Sequence, residues 1–254
     1  MIQEFRDRFA ALHVPGDPVL LYNIWDVASA QAVVAGGAKA LATGSHAVAE
    51  SQGFPDGEGI PFNLFLEATR RIVEGVDLPV TADFESGFAA DPAHIADHAR
   101  QLAETGAIGC NFEDQVIGGE GLYSIERQSA RIRAIREAAN DSGVPLFINA
   151  RTDIFLKTLP AAETEEQLAQ ALERASAYAD AGASGFFAPG LRDPEMIRRL
   201  CEGSPLPVNI FVIPGVPSNN EMAGLGVARI SYGPGPYRQM IEWLKGKAAE
   251  VFAG

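Results

Sequence analysis

The chain has 254 residues, of which 47% are hydrophobic and 21% are charged, as in an ordinary soluble globular protein. Its 33 acidic residues against 20 Lys and Arg give a formal net charge of −13, which excludes a basic nucleic-acid-binding surface. We expect a cytoplasmic protein that binds neither nucleic acid nor membrane. Its two cysteines are far apart and lack metal-ligand spacing, its N-terminus is charged, and no apolar run approaches about 18 residues.

Short apolar runs, several of them rich in β-branched residues, predict strands that are covered on both faces. There are eight of them, at 19–25, 39–45, 78–84, 108–114, 145–151, 184–190, 207–213 and 228–233.

Longer helical patterns separate the predicted strands. The clearest lie at 92–106, where a proline follows Asp91, at 124–143, where Ser124 is the predicted N-cap, and at 164–182. A last helix is predicted over 236–254.

Strict alternation of strands and helices predicts a parallel sheet with right-handed crossovers. Eight such units within about 250 residues favour a (β/α)₈ TIM barrel, a single domain over residues 1–254 with an N-terminal and a C-terminal helix. The alternative is an open doubly wound sheet, but no Gly-rich dinucleotide-binding motif follows the first predicted strand.

Polar side chains collect where the predicted strands end. In a TIM barrel these ends meet at one mouth, which is where catalytic residues lie. The residues concerned are Asn23, Asp26, Thr43, Gly44, Ser45, His46, Asp83, Glu85, Glu113, Asp114, Asn149, Arg151, Asp153 and Asn209. Six strands with this feature predict a functional site rather than isolated helix caps.

Grouped carboxylates raise each other's pKa unless a cation lies among them. Asp83, Glu85 and Glu113 follow adjacent predicted strands, and no His or Cys ligand set accompanies them, so we expect a hard cation, Mg²⁺ or Mn²⁺. The alternative is capping and ion pairing with Arg151. That arginine could itself clamp a substrate carboxylate or only neutralise Asp153 or Glu113.

Six segments resemble the isocitrate lyase/phosphoenolpyruvate mutase superfamily, and more narrowly its phosphonomutase-like members. They are TGSHAVAESQGFPDGE (43–58), TADFESGF (81–88), NFEDQ (111–115), INARTD (148–153), FFAPG (186–190) and PVNIF (207–211).

The resemblance implies a role for each matching residue. Asp83 would bind Mg²⁺ directly, with Asp56, Glu85 and Glu113 acting through water. A small carboxylate substrate would contact Thr43, Gly44, Ser45, Asp83, Arg151 and Asn209. The resemblance also implies a homo-oligomer, a dimer or tetramer. Trp243, Leu244, Val251 and Phe252 of the last helix could then pack on the barrel or on a neighbouring subunit.

The segment after Asp114 departs from the resemblance. Gly121 stands where the lyases carry a cysteine acid, Tyr123 stands where they carry a histidine, and Gly190 replaces a glutamate. The candidate catalytic residues are therefore Arg151, Tyr123 and His46, with Glu120 as a further proton donor. Residues 118–121, GGEG, predict either a mobile lid or a plain flexible loop.

The resemblance, together with these departures from it, implies three candidate functions. The first is a Mg²⁺-dependent lyase that acts on a small α-keto or 2-hydroxy carboxylate through a pyruvate-enolate-like intermediate, with oxaloacetate decarboxylation favoured. The second is P–C bond chemistry on phosphonopyruvate. The third is a keto-acid binding protein with vestigial catalysis.

Overall fold

The computed structural model describes residues 2–143 and 146–253. Pro145, the predicted first residue of the fifth strand, and Gly254, the predicted last residue of the final helix, lie outside these ranges.

Eight parallel strands form one sheet. Their bounds are β1 Val19–Leu21, β2 Leu41–Ala42, β3 Val80–Asp83, β4 Gly109–Glu113, β5 Phe147–Arg151, β6 Gly185–Phe187, β7 Val208–Phe211 and β8 Arg229–Ser231. The hydrogen-bonded order is β1-β8-β7-β6-β5-β4-β3-β2. A parallel bridge between Ile24 and Thr43 joins the remaining two neighbours, so the sheet closes on itself. The predicted (β/α)₈ TIM barrel is confirmed.

Helices surround the barrel between the strands. They are α1 Ile2–Ala11, α2 Val27–Ala35, α3 Ser45–Ser51, α4 Phe62–Glu74, α5 Pro92–Glu104, α6 Ile125–Asp141, α7 Glu165–Asp180, α8 Pro194–Gly203, α9 Asn219–Gly224 and α10 Gly235–Phe252. The three helices with clear sequence signals begin where predicted, because Asp91, Ser124 and Thr164 each accept an amide hydrogen of the first turn. Within the described ranges, none of these helices combines the length and the apolar character that a membrane crossing requires.

The interior of the barrel differs from the continuously apolar one that the strands predict. Asn149 Nδ2 donates to Asn111 Oδ1 at 2.9 Å and to Asn209 Oδ1 at 3.0 Å. Arg229 Nη2 also donates to Asn111 Oδ1, at 3.0 Å. All four residues are buried. Amides and one guanidinium therefore occupy space that branched apolar side chains usually fill in such barrels.

The last helix makes little contact with its own barrel. Of its 18 residues only Pro236 and Tyr237 are buried, both in the first turn. Trp243 is 63% exposed and Phe252 is 87% exposed, and Leu244 and Val251 are exposed as well. The four apolar residues of the predicted last helix thus do not pack on the barrel of the same chain.

Candidate active site

Asp83, the last residue of β3, lies at the mouth of the barrel and is hydrogen-bonded to the residues that follow β2. Its Oδ2 accepts hydrogen bonds from the amide and the hydroxyl of Ser45, at 3.2 and 2.9 Å. Its own amide donates to Thr43 Oγ1 at 2.9 Å, and Asn111 Nδ2 approaches its Oδ1 to 3.4 Å. Three contacts to the carboxylate and one to the backbone amide therefore fix the residue that is the predicted direct metal ligand.

The predicted donors to a substrate carboxylate are already engaged here. Both polar hydrogens of Ser45 point at Asp83, and the Gly44 amide donates to the Ile24 carbonyl at 3.0 Å. Asn209 is fully buried, and its Nδ2 donates to the carbonyls of Ile210 and Arg229. Asn209 therefore lies in the amide network below the mouth, and Thr43 and Ser45 orient Asp83.

Glu85 and Glu58 hold two loops of the mouth together. The Glu58 amide donates to Glu85 Oε2 at 2.8 Å, and Glu58 Oε1 in turn accepts from the Phe88 amide at 2.8 Å. All three residues have positive φ, at 58° for Glu58, 49° for Glu85 and 54° for Phe88. Among the described residues no other non-glycine has positive φ. Such backbone strain tends to persist where function requires it.

The carboxylates of this mouth have too little positive charge around them. Burial, together with the negative charges of Asp83, Asp56 and Glu58, raises the pKa of Glu85 to about 8. Burial also raises the pKa of Glu58 above its ordinary value. At neutral pH Glu85 is therefore largely protonated in the absence of a cation, and a cation placed nearby would favour its ionised form.

Arg151 lies between two carboxylates at the end of β5. Its Nε and Nη2 donate to the two oxygens of Asp153 at 2.6 and 2.9 Å, and its Nη1 is 2.8 Å from Glu113 Oε2. These contacts use three of the five guanidinium hydrogens, so one remains on each Nη. The predicted ion pairs are thus both present, and two donors are left for a ligand.

Burial and mutual attraction decide the charges of the trio formed by Arg151, Glu113 and Asp153. Burial alone would lower the pKa of Arg151, but the charges of Glu113 and Asp153 outweigh it and raise the pKa well above its ordinary value. Burial raises the pKa of Glu113, which the positive charge of Arg151 only partly offsets. Arg151 therefore stays charged, and a proton on Glu113 would bring the trio to neutrality.

The other catalytic candidates make contacts at the rim. His46 Nε2 lies 2.8 Å from Glu50 Oε2 and its Nδ1 lies 3.5 Å from Asp56 Oδ2. The ring of Tyr123 packs under two guanidiniums, with centroid distances of 4.1 Å to Arg131 and 4.7 Å to Arg127. Tyr123 therefore packs against Arg127 and Arg131, and its role as a proton donor stays a prediction.

The predicted lid, residues 118–121, lies in a defined turn. The Val116 amide donates to the Gly121 carbonyl at 3.2 Å, and Gln115 bridges Leu122. A side chain at Gly121 would meet no atom within 4 Å, although its φ of 74° disfavours one. Gly190 differs, because a Cβ there would lie 2.6 Å from the Leu156 nitrogen. The backbone leaves no room for the glutamate that the lyases carry at this position.

The carboxylates do not converge as a direct ligand set. Over residues 2–143 and 146–253, no group of three or more His, Cys, Asp and Glu side chains is arranged to hold a metal ion. Glu113 faces Arg151, and Glu85 faces the Glu58 amide. A single direct carboxylate with water as the other ligands is nevertheless a common arrangement for Mg²⁺, and Asp83 fits that arrangement.

Two residues that support the loops of the mouth, Glu58 and Arg131, are not indicated by the sequence. Glu58 follows Asp56 within a PDGEG turn, and nothing in that turn predicts its bond to Phe88. Arg131 is fully buried, and its Nη2 donates to Ser86 Oγ at 2.7 Å and to the Ala89 carbonyl at 3.2 Å. Arg131 thereby supports the loop that carries Glu85. Its helical pattern alone gave no signal, because most helical arginines are exposed.

The sequence model of the phosphoenolpyruvate phosphomutase family matches residues 9–252. The chain belongs to this family. A 2-methylisocitrate lyase from Salmonella typhimurium is 30% identical over 209 residues, which cover 78% of this chain and 68% of that enzyme. The predicted superfamily is thus confirmed.

Solved structures of this superfamily share the fold. A protein from Burkholderia cenocepacia J2315, provisionally called a phosphonomutase, is 45% identical with a TM-score of 0.96, and the match covers 99% of this chain and all of that one. A phosphonopyruvate hydrolase crystallised with oxalate and Mg²⁺ has a TM-score of 0.81 at 21% identity, and the match covers 98% of this family member and 86% of the hydrolase chain.

Proposed function

We propose that the chain is a lyase that uses Mg²⁺ or Mn²⁺ to cleave a carbon–carbon bond of a small α-keto or 2-hydroxy carboxylate. The reaction would pass through an intermediate like the enolate of pyruvate, and decarboxylation of oxaloacetate fits best. One observation carries the proposal. Asp83, Glu113 and Arg151 end three neighbouring strands, and Arg151 Nη1 lies 2.8 Å from Glu113 Oε2, so a cation-deficient carboxylate group and a charged guanidinium share one mouth.

Asp83 would hold the cation directly, and Asp56, Glu85 and Glu113 would hold it through water. Hydrogen bonds from Ser45 and Asn111 hold the Asp83 carboxylate in place before any cation binds. When bound, the cation would polarise the substrate carbonyl and stabilise the negative charge that develops on its oxygen. Support for a metal also comes from the phosphonopyruvate hydrolase relative, whose crystals contain Mg²⁺.

Arg151 would orient the substrate. Its two remaining Nη hydrogens could donate to a carboxylate, while Asp153 and Glu113 fix the plane of the guanidinium. Asp153 is held in turn by its amide, which donates to Asp114 Oδ1 at 3.1 Å. A planar, charged and preorganised donor of this kind binds carboxylates with defined geometry.

The predicted lid favours a reaction that does not need the cysteine acid of the lyases. Gly121 carries no proton donor, Tyr123 is packed under two arginines, and a glutamate at position 190 would clash with the backbone. Carbon dioxide leaves without taking up a proton, and the enolate that remains can take its proton from water to give pyruvate, so this reaction makes the smallest demand on the lid. Cleavage of an isocitrate-like substrate would require the acid that is missing.

Phosphorus–carbon chemistry on phosphonopyruvate is the second candidate. Its support is the 45% identity to the Burkholderia cenocepacia protein that is provisionally called a phosphonomutase. Against it, the lid lacks the lysine and asparagine that the resemblance implies for mutases and hydrolases. A keto-acid binding protein with vestigial catalysis is the third candidate.

A turnover panel separates the three candidates. Purified protein with Mg²⁺ is supplied with oxaloacetate, and pyruvate formation above the metal-only background is measured. Phosphate release from phosphonopyruvate is measured in parallel, with Asp83→Ala as the control for both. Pyruvate formation that Asp83→Ala abolishes supports the lyase, and phosphate release supports the second candidate. No turnover with any keto acid, combined with ligand binding, would leave only the binding protein.

We also infer that the chain forms a homo-oligomer, a dimer or tetramer, through its last helix. The outer side of β1 carries an apolar groove of about 770 Å³, where Leu20 is 46% exposed and Tyr22 is 41% exposed. The apolar residues of α10 are exposed on the same molecule. A second copy of α10 would cover such a groove. Light scattering that gives a monomer mass at micromolar concentration would contradict this inference.

A further inference from the structure

The barrel has a second polar cavity, at the end opposite to Asp83. Its volume is about 350 Å³, and it lies between α1 and the residues that begin or precede β5, β6 and β7. Arg6, His13, Arg136 and Ser184 contribute its polar side chains. None of the eight lining residues that the structure describes is acidic, in a protein whose formal charge is −13.

The two arginines of this cavity are differently held. Arg136 Nε donates to the Gly182 carbonyl and its Nη2 donates to Ser184 Oγ, both at 2.9 Å, which leaves hydrogens on both Nη atoms. Arg136 has no carboxylate partner within the described ranges. Arg6 is half-buried, lies 3.5 Å from the exposed Asp7 and donates to Gln3 Oε1 at 3.4 Å. Burial, and then the positive charge of Arg6, lower the pKa of Arg136.

His13 presents an acceptor that nothing in the described structure satisfies. Its Nδ1 lies 2.9 Å from the Phe9 carbonyl, which can only accept, so Nδ1 carries the hydrogen. Its Nε2 is buried without a hydrogen-bond partner among the described residues. The ring is 8% exposed and stacks on Phe147 with a centroid distance of 4.2 Å, so it cannot turn freely. Burial and the nearby guanidinium of Arg229 lower the pKa of His13 to about 3.

We propose that this cavity binds a phosphate group, either inorganic phosphate or the phosphate of a small monoester. Arg6, Arg136 and the Ser184 hydroxyl donate to its oxygens, and the His13 ring, stacked on Phe147, forms part of the cavity wall. Inorganic phosphate and a phosphate monoester both present several acceptors to these donors. The cavity is larger than a phosphate ion, and its volume is within the range of small-molecule sites.

Calorimetry on the metal-free protein in EDTA at constant ionic strength tests the site, with inorganic phosphate and methyl phosphate as probes. We expect one saturable site, an affinity at least tenfold lower in Arg6→Ala, and an unchanged affinity in Arg8→Ala. Arg8 is exposed on the same helix and does not line the cavity, so it is the matched control. Arg151→Ala should also bind phosphate like the wild type, because it lies at the opposite mouth.

Saturable binding of either probe supports the site, and the probe that binds more tightly identifies the free ion or the ester as its ligand. The proposal is overturned if neither probe gives saturable heat with the wild type. Equal affinities in Arg6→Ala and Arg8→Ala would overturn it too, as would loss of binding in Arg151→Ala. Unfolding temperatures of all variants without phosphate verify that Arg6→Ala is folded.

Discussion

Replacing Glu85 with glutamine gives a measurable change in how stability depends on pH. The pKa of Glu85 is about 8 in the folded metal-free protein and 4.5 in its ordinary state. The folded state therefore binds the proton more tightly than the unfolded state. Stability from this group is complete below pH 4.5 and is lost as pH rises to about 8. The difference of about 3.5 units at about 1.4 kcal/mol each bounds the loss at roughly 5 kcal/mol.

Glutamine cannot ionise, and its carbonyl can still accept from the Glu58 amide. We expect Glu85→Gln to match the wild type near pH 5 and to exceed its free energy of unfolding by a few kcal/mol near pH 8.5. Urea titrations of metal-free protein at several pH values measure this. Other buried acids with raised pKa, such as Glu113, cancel because both proteins contain them. Parallel curves for the two proteins would refute the charge deficit at this mouth.

Three further changes have defined outcomes. Arg151→Ala should weaken binding of pyruvate or oxaloacetate by about 30-fold or more, because leaving the substrate carboxylate unpaired costs roughly 2–5 kcal/mol, and Arg151→Lys should not restore the affinity. If calorimetry gives Arg151→Ala the same affinity as the parent, Arg151 is only a counter-charge. Glu58→Ala removes the acceptor of the Phe88 amide and should weaken Mn²⁺ binding by about tenfold, whereas Glu58→Gln keeps an acceptor and should bind Mn²⁺ like the wild type. Equal Mn²⁺ affinities in the wild type and both variants would contradict this. Gly121→Cys should give no 2-methylisocitrate lyase activity, since the basic residues that flank this cysteine in the lyases and their glutamate at position 190 are missing here. Robust turnover by the wild type or by this variant would show that the lid does not limit the reaction in this way.

The fold could be predicted because its signals are local. Each apolar run became a strand, and Asp91, Ser124 and Thr164 capped the helices that follow. The observed strands are shorter than the runs, since only their central residues pair before the chain turns towards the next helix. β2 pairs over Leu41–Ala42 alone, although the apolar run spans 39–45.

The candidate site was predictable in position and less so in contacts. The mouth of a barrel gathers strand ends, so Asp83, Glu85 and Arg151 could be placed together. Which donor meets which acceptor depends on side-chain rotamers and on backbone conformation across strands. Ser45, which is predicted to contact a substrate carboxylate, donates its hydroxyl hydrogen to Asp83, a bond that the sequence does not indicate. The positive φ of Glu58 has no sequence signature, because non-glycine residues adopt it only under tertiary constraint.

Direct measurement of Mn²⁺ affinity tests whether Asp83 is the metal ligand at the mouth. Titration of the metal-free protein, followed by calorimetry or by the electron paramagnetic resonance signal of free Mn²⁺, gives the dissociation constant without reliance on turnover. Asp180, exposed at the end of α7, provides the control variant Asp180→Asn. We expect saturable binding by the wild type and by Asp180→Asn, and an affinity at least about 100-fold lower in Asp83→Asn, which corresponds to roughly 2.8 kcal/mol. Equal affinities in Asp83→Asn and the wild type would contradict the assignment of the metal to this mouth.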